Sequence, residues 1–267
     1  MDRHGATDPH GVPADRDAGT WVIDLDGVIW LAQEPIPGAT DAVTRLRDAG
    51  IRTLFVTNNA LPTLGELIEQ LATVGITTKP DELVTSAQAA ASLLAPGSTA
   101  VVCAGGGVLE ALADRGVTVV PEGPADAVVV GLTRGFDFDM LATAVSAVRG
   151  GARLVGTNED ATYPTPGRLL PGAGALLAAV STAAQSAPDV AGKPHEAIVA
   201  LVRKRAPDTS WVVGDRPSTD GLLARRLGVP FALVRSGVTA PGDVPSGVEP
   251  DVDAPDLAAV VDGHLAS

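Results

Sequence analysis

Cysteine is almost missing from this 267-residue chain, where Cys103 stands alone. A single cysteine closes no internal disulfide, so a buried core must hold the fold, and a reducing, cytoplasmic setting is expected. Aromatic residues make up only 3%, which weighs against a pocket built on base stacking. Positive charge is short as well. The 19 Lys and Arg face 32 Asp and Glu, for a formal net charge of −13, and no Lys/Arg-rich block is present. Nucleic acid and an anionic membrane are therefore not expected partners. A small anionic molecule stays open to such a chain if a metal ion or a well-placed lysine neutralises its site locally. Long hydrophobic runs are absent too. The most apolar stretch, 169–184, is broken by Pro171, Gly172, Gly174, Ser181 and Thr182, and it reads as a buried helix rather than a membrane span. Residues 1–19, rich in Asp, Gly, Pro and His, lack the apolar segment of a signal peptide. Residues 1–18 are expected to be a disordered leader.

What is present is a rhythm. Apolar residues make up 45% of the chain, enough to bury a real core. Short apolar runs alternate with amphipathic stretches, which predicts a parallel sheet covered by helices, an α/β fold. Strands are expected at 21–25, 52–56, 100–103, 117–120, 127–130, 153–155, 211–213 and 231–234. Helices are expected at 38–49, 64–74, 108–115, 139–149, 172–184, 194–205 and 219–227. The segment 83–188, flanked by Lys79-Pro80 and Ser186-Ala187-Pro188, is expected to be a second α/β unit inserted into a core made of 19–82 and 189–267.

Four segments could carry chemistry. Asp24 and Asp26 end an apolar strand just before Gly27. In an extended chain, residues two apart face one side, so both carboxylates can reach one site. Open α/β sheets bind ligands at the carboxyl ends of their strands. A bound cation would let two such carboxylates coexist; the plain alternative is an Asx turn. Thr57-Asn58-Asn59 puts a hydroxyl and two amides at the next strand end, or else caps a helix. Gly192-Lys193-Pro194 places an ammonium before a helix, where anions are favoured, or else a solvated side chain. Gly214-Asp215-Arg216 with Thr219-Asp220 adds two carboxylates after another strand, or else a turn.

These four segments, in this order, resemble the four motifs of the haloacid-dehalogenase (HAD) superfamily of phosphatases. The long insert, with Gly156-Thr157-Asn158-Glu159-Asp160 and Leu170-Pro171-Gly172-Ala173-Gly174, is similar to the cap of its class IIA, NagD-like or 4-nitrophenylphosphatase-like branch. The similarity spans about 21–237. It implies a Rossmann-like parallel-sheet core with a large inserted α/β cap. It also implies a Mg2+-dependent phosphatase that acts on a small phosphorylated metabolite through an aspartyl-phosphate.

By the same resemblance Asp24 is the nucleophile, and Asp26 is the acid that protonates the leaving group and later activates water. The ion would be held by the Asp24 side chain, the Asp26 backbone carbonyl and Asp215. Thr57, Asn58 and Lys193 would bind phosphate, with Asn59 and Asp220 in support. Asn158, Glu159 and Asp160 of the cap would face substrate.

Several positions depart from the family pattern. Ala60 and Leu61 stand where Ser and then Ser or Arg are usual, Glu159 where Pro is usual, and Gly221 where Ile is usual. The Asp26 acid argues against halide displacement. A phosphomutase, or a catalytically weak phosphometabolite-binding module, shares the fold. Glycerol phosphate, pyridoxal phosphate, sugar phosphates and nucleoside monophosphates all fit the branch, and a homodimer through the cap is open to it. Gly105-Gly106-Gly107 reads as a tight turn rather than a nucleotide loop, because Glu110 spoils the Gly-x-Gly-x-x-Gly spacing. Cys103 reads as core, Arg216 as a structural ion pair, and His4, His10 and His264 as residues of frayed ends.

Overall fold

The computed structural model describes residues 19–32, 34–165, 168–243 and 247–266. The expected leader, with His4 and His10, lies outside the described residues. The strands Thr20–Ile23, Arg52–Thr57, Thr209–Gly214 and Phe231–Val234 are almost wholly buried, as near-continuous apolar runs must be when helices cover both sheet faces. With Leu83–Thr85 and Val252–Ala254 at the edges they make a six-stranded sheet. Every pairing in it is parallel.

Thr20–Ile23 lies between Thr209–Gly214 and Arg52–Thr57, so the chain order reverses beside it. Sheets of this doubly wound kind open a crevice at that point, beyond the carboxyl ends of the strands. Asp24, Thr57 and Asp215 sit at those three ends.

A second, five-stranded parallel sheet runs in the order Asp189–Val190, Arg153–Gly156, Ala127–Val130, Thr99–Cys103, Thr118–Val119. The two sheets are not separate bodies. One buried apolar cluster takes Val22, Leu54 and Val56 from the first, and Val129 and Val155 from the second. Between them it takes Leu112, Ile198 and Val199 from intervening helices. Helix Gly106–Asp114 comes very close to the loop after Asn59. Gly107 N–H donates to the Leu61 carbonyl at 3.0 Å, and a Cβ on Gly107 would lie 2.1 Å from the Pro62 carbonyl oxygen. The triple glycine is thus a site of close backbone approach between the two layers.

Sheet membership differs from the expected boundaries at both ends. Leu83–Thr85, expected in the insert, edges the six-stranded sheet, whereas Asp189–Val190, expected in the core, edges the five-stranded one. Both runs are too short to show periodicity, and pairing partners decide them. The last helices differ as well. Helix Leu222–Leu227 begins after a wide turn at Pro217–Gly221, which folds Asp220 back toward Asp215. His264 belongs to helix Leu257–Leu265, with its ring 4.9 Å from that of Trp21.

All three tryptophans, Trp21, Trp30 and Trp211, lie in or beside the first sheet, while Leu112 is fully buried on the second sheet's side of the shared cluster. Leu112→Ala should cost about 2–5 kcal/mol. Because the cluster is shared, urea transitions followed by tryptophan fluorescence and by far-UV circular dichroism should shift together.

Candidate active site

The crevice gathers carboxylates around one ammonium. Lys193 Nζ lies 2.7 Å from Asp24 Oδ1, 2.7 Å from Asp220 Oδ1 and 3.2 Å from the Val56 carbonyl oxygen. Its three protons therefore have three acceptors. The Lys193 side chain is 2% exposed and that of Asp220 1%, so this is a desolvated ion triad. Burial alone would lower the ammonium's pKa; Asp220 and Asp24 outweigh it and hold Lys193 protonated well beyond its usual range.

Carboxylate oxygens of Asp24, Asp215 and Asp220 all come within 4.8 Å of one another. Val238 N–H donates to Asp215 Oδ2 at 2.6 Å, but Asp215 Oδ1 is buried without a partner. Gly27, at φ 88°, and Gly237 wall this side chain in: a Cβ on either would fall within 2.4 Å of Asp215 Oδ2. A buried oxygen without a donor, in a cradle of carboxylates, suits a hard divalent cation. The charges agree. Among the described residues, Lys193 and Arg216 are the cations that act on Asp24, Asp26 and Asp215. Burial, with Asp220 and Asp215 adding to it, raises Asp24 well above the carboxylate range. Burial and Asp220 push Asp215 up to about 6.

Asp26 stands apart from that trio. It is half-buried, and its Oδ1 accepts the Trp30 indole N–H at 3.1 Å. Burial raises its pKa, against the pull of that bond and of Lys193. The third side-chain carboxylate of the cation cradle is Asp220 rather than Asp26. Thr57 is buried, and its Oγ1 accepts from Asn59 N–H at 3.0 Å, leaving its own proton to offer a ligand. Asn59 closes an Asx turn, its Oδ1 accepting from Leu61 N–H at 3.1 Å.

Two groups of expected site residues are engaged by protein. The Asn58 side chain, expected on phosphate, is fully engaged by protein. Its Oδ1 accepts Lys193 N–H at 2.7 Å, and its Nδ2 donates to the Lys193 carbonyl and to Asp160 Oδ2, both at 3.2 Å. The cap turn does come to the site, but its side chains meet protein rather than an open cavity. Asn158 Nδ2 donates to the Asn58 carbonyl at 2.7 Å, Glu159 Oε2 lies 3.0 Å from His195 Nε2, and Asp160 Oδ1 accepts from Arg216 Nη1 at 3.3 Å. Arg216 is therefore an ion-pairing residue, as its sequence context implies. Sequence reasoning missed Trp30, Val56 and Val238. Trp30 follows Asp26 by four residues and was in reach of inspection; the other two act through backbone atoms, which leave no signature.

Fold and site together define a hydrolase built around an aspartate at the tip of a central strand. Residues 21–118 match the haloacid dehalogenase-like hydrolase family, and residues 190–260 match the HAD-hydrolase-like family. The chain belongs to the haloacid dehalogenase-like hydrolases and is a phosphatase of that family. It is 35% identical over 225 residues to the acid sugar phosphatase of Staphylococcus haemolyticus, covering 82% of this chain and 86% of that protein. The glycerol phosphate phosphatase of Mycobacterium tuberculosis, solved in complex with magnesium, matches with a TM-score of 0.77 at 37% identity, over 83% of this chain and 69% of that one. The p-nitrophenyl phosphatase of Archaeoglobus fulgidus gives 0.86 at 28% identity, over 92% and 99%.

The raised Asp215 value has a sign that can be tested. Between about pH 4 and about 6 the folded protein holds this proton more tightly than the unfolded chain does, so this group's contribution to stability falls as pH rises through that window. Metal-free Asp215→Asn should therefore be more stable than the parent at about pH 8, by roughly 1–3 kcal/mol. The gap should close below about pH 4, where both side chains are neutral in both states; paired urea melts at the two pH values measure it.

Proposed function

We propose that the chain hydrolyses a small, hydroxylated phosphate monoester by way of a phosphoryl group carried on Asp24. What carries this reading is the Lys193 ammonium held between Asp24 and Asp220, at 2.7 Å from each, beside the partnerless oxygen of Asp215. Asp24 Oδ1 is occupied by Leu25 N–H at 2.8 Å and by Lys193, so attack on phosphorus falls to Oδ2. Asp26, its pKa raised by burial and its carboxylate steered by Trp30, donates a proton to the departing alkoxide. It then takes one from the water that hydrolyses the acyl phosphate, a role worth roughly 10²–10⁴-fold. Thr57 offers its hydroxyl proton to a phosphoryl oxygen. Lys193 reaches the same group by releasing its longest bond, the one to the Val56 carbonyl.

The cation is magnesium, which Asp24, Asp215 and Asp220 would hold, with the Asp26 carbonyl as a further oxygen ligand. When bound it neutralises the carboxylates and withdraws charge from the phosphoryl oxygens. The relatives that act on sugar and glycerol phosphates support a polyol or sugar phosphate as substrate. Pairing of two copies through the cap belongs to the same reading, with Phe138 and Leu169, 79% and 67% exposed, as apolar surface for it.

Release of phosphate from 4-nitrophenyl phosphate and from glycerol phosphate, with and without Mg2+, is the test. The parent should turn over both substrates only with the ion. Asp24→Asn should lose activity completely while melting as a folded protein, and Asp26→Asn should lose roughly 10²–10⁴-fold on glycerol phosphate. An Asp24→Asn protein that keeps its activity overturns the mechanism. Mg2+ at about 100 times its Kd should add about 2.7 kcal/mol of stability, or roughly 5–10 °C in Tm.

A further inference from the structure

One network ties the cap turn to the lysine at the edge of the phosphate site. Asn58 clamps the Lys193 peptide from both sides, accepting its N–H at 2.7 Å and donating to its carbonyl at 3.2 Å. Only an amide can do both, since a carboxylate has no proton to give. The second proton of the same Nδ2 goes to Asp160 Oδ2 at 3.2 Å, across to the layer of the second sheet. The other oxygen of Asp160 takes Arg216 Nη1 at 3.3 Å. The Arg216 backbone N–H donates to Asp220 Oδ2 at 3.1 Å, and Asp220 Oδ1 takes the Lys193 ammonium at 2.7 Å. The path closes on itself: Lys193, Asn58, Asp160, Arg216, Asp220 and back to Lys193.

We infer that Asp160 is a positioning residue whose carboxylate completes this ring, so that docking of the cap turn sets the lysine that serves the phosphoryl group. The inference deepens the phosphatase reading and rests on it for its kinetic consequences. Lysine is a flexible point charge, and its ammonium is only as well placed as the backbone that carries it. The clamp on that backbone is in turn held by Asp160. Arg216 needs the same anchor. It lies in the field of Asp215, Asp24 and Asp220 as well as Asp160, and without Asp160 it would be drawn toward the carboxylates that the cation needs. Both oxygens of Asp160 are engaged, so it acts on the reaction through Asn58 and Arg216 and not by touching substrate. The Asn58 carbonyl reinforces the link, accepting from Asn158 Nδ2 at 2.7 Å and from Ser86 Oγ at 2.6 Å.

A double-mutant cycle on the full chain tests this, with 4-nitrophenyl phosphate as substrate and inorganic phosphate as inhibitor. Asp160→Ala and Asn58→Ala should each lower kcat/KM roughly 10–100-fold and weaken phosphate inhibition in parallel, and the double variant should be no worse than the poorer single one. Losses that multiply would mean the two residues act separately, and would overturn the ring. If the alanine variants melt early, Asp160→Asn and Asn58→Ser carry the same comparison. Hydrogen exchange supplies a readout independent of turnover: in Asp160→Ala the amides of 57–59, Gly192, Lys193 and His195 should exchange faster, and unchanged exchange there overturns the inference. Absence of turnover in the parent would sink the phosphatase reading alone, and the exchange data would still decide the ring.

Discussion

Everything at the catalytic end of this molecule depends on one buried ammonium. Lys193 is desolvated, yet it lies between two carboxylates at bonding distance, and that arrangement stands only because each charge answers another. Removing one member of such a buried set leaves a bare charge, at a cost of about 3–5 kcal/mol. The strand ends, the turn at Pro217–Gly221 and the Asn58 clamp can all be understood as means of holding this lysine where three separate loops converge. Its excess of negative neighbours is what prepares the same crevice for a divalent cation.

A second constraint is the way the two sheets share one core. The apolar cluster runs from Val22 and Val56 to Val129 and Val155 without a break. The glycines at 105–107 let a helix of one layer lie directly on the backbone of the loop after Asn59. That loop carries Ala60 and Leu61 where related chains often carry polar side chains. Ala60 is buried, and Leu61 lies against Gly105. In this chain the loop is a docking surface for the helix Gly106–Asp114.

The sequence was most legible where chemistry and periodicity coincide. Asp24, Asp26, Lys193 and Asp215 follow or precede regular elements at strand and helix ends, and the buried strands Arg52–Thr57 and Thr209–Gly214 announce themselves by continuous apolar runs. Edge strands of two or three residues, such as Leu83–Thr85 and Asp189–Val190, carry no periodicity, and only their pairing partners define them. The clamp that the Asn58 side chain places on the Lys193 peptide could not be read from its place beside Thr57. An amide in such a motif suits a phosphate oxygen as well as a peptide, and the choice depends on Lys193 arriving from 135 residues away. Val238 and Val56 act through main-chain atoms, which any residue would supply.

The covalent step proposed for Asp24 has a direct test. Quenching the enzyme during turnover of 4-nitrophenyl phosphate, then reducing with borohydride, converts an acyl phosphate on aspartate to homoserine, which peptide mass spectrometry detects. The modified residue should be Asp24 and no other. An enzyme that turns over substrate while Asp24 stays intact through quench and reduction would contradict the nucleophilic role assigned to it.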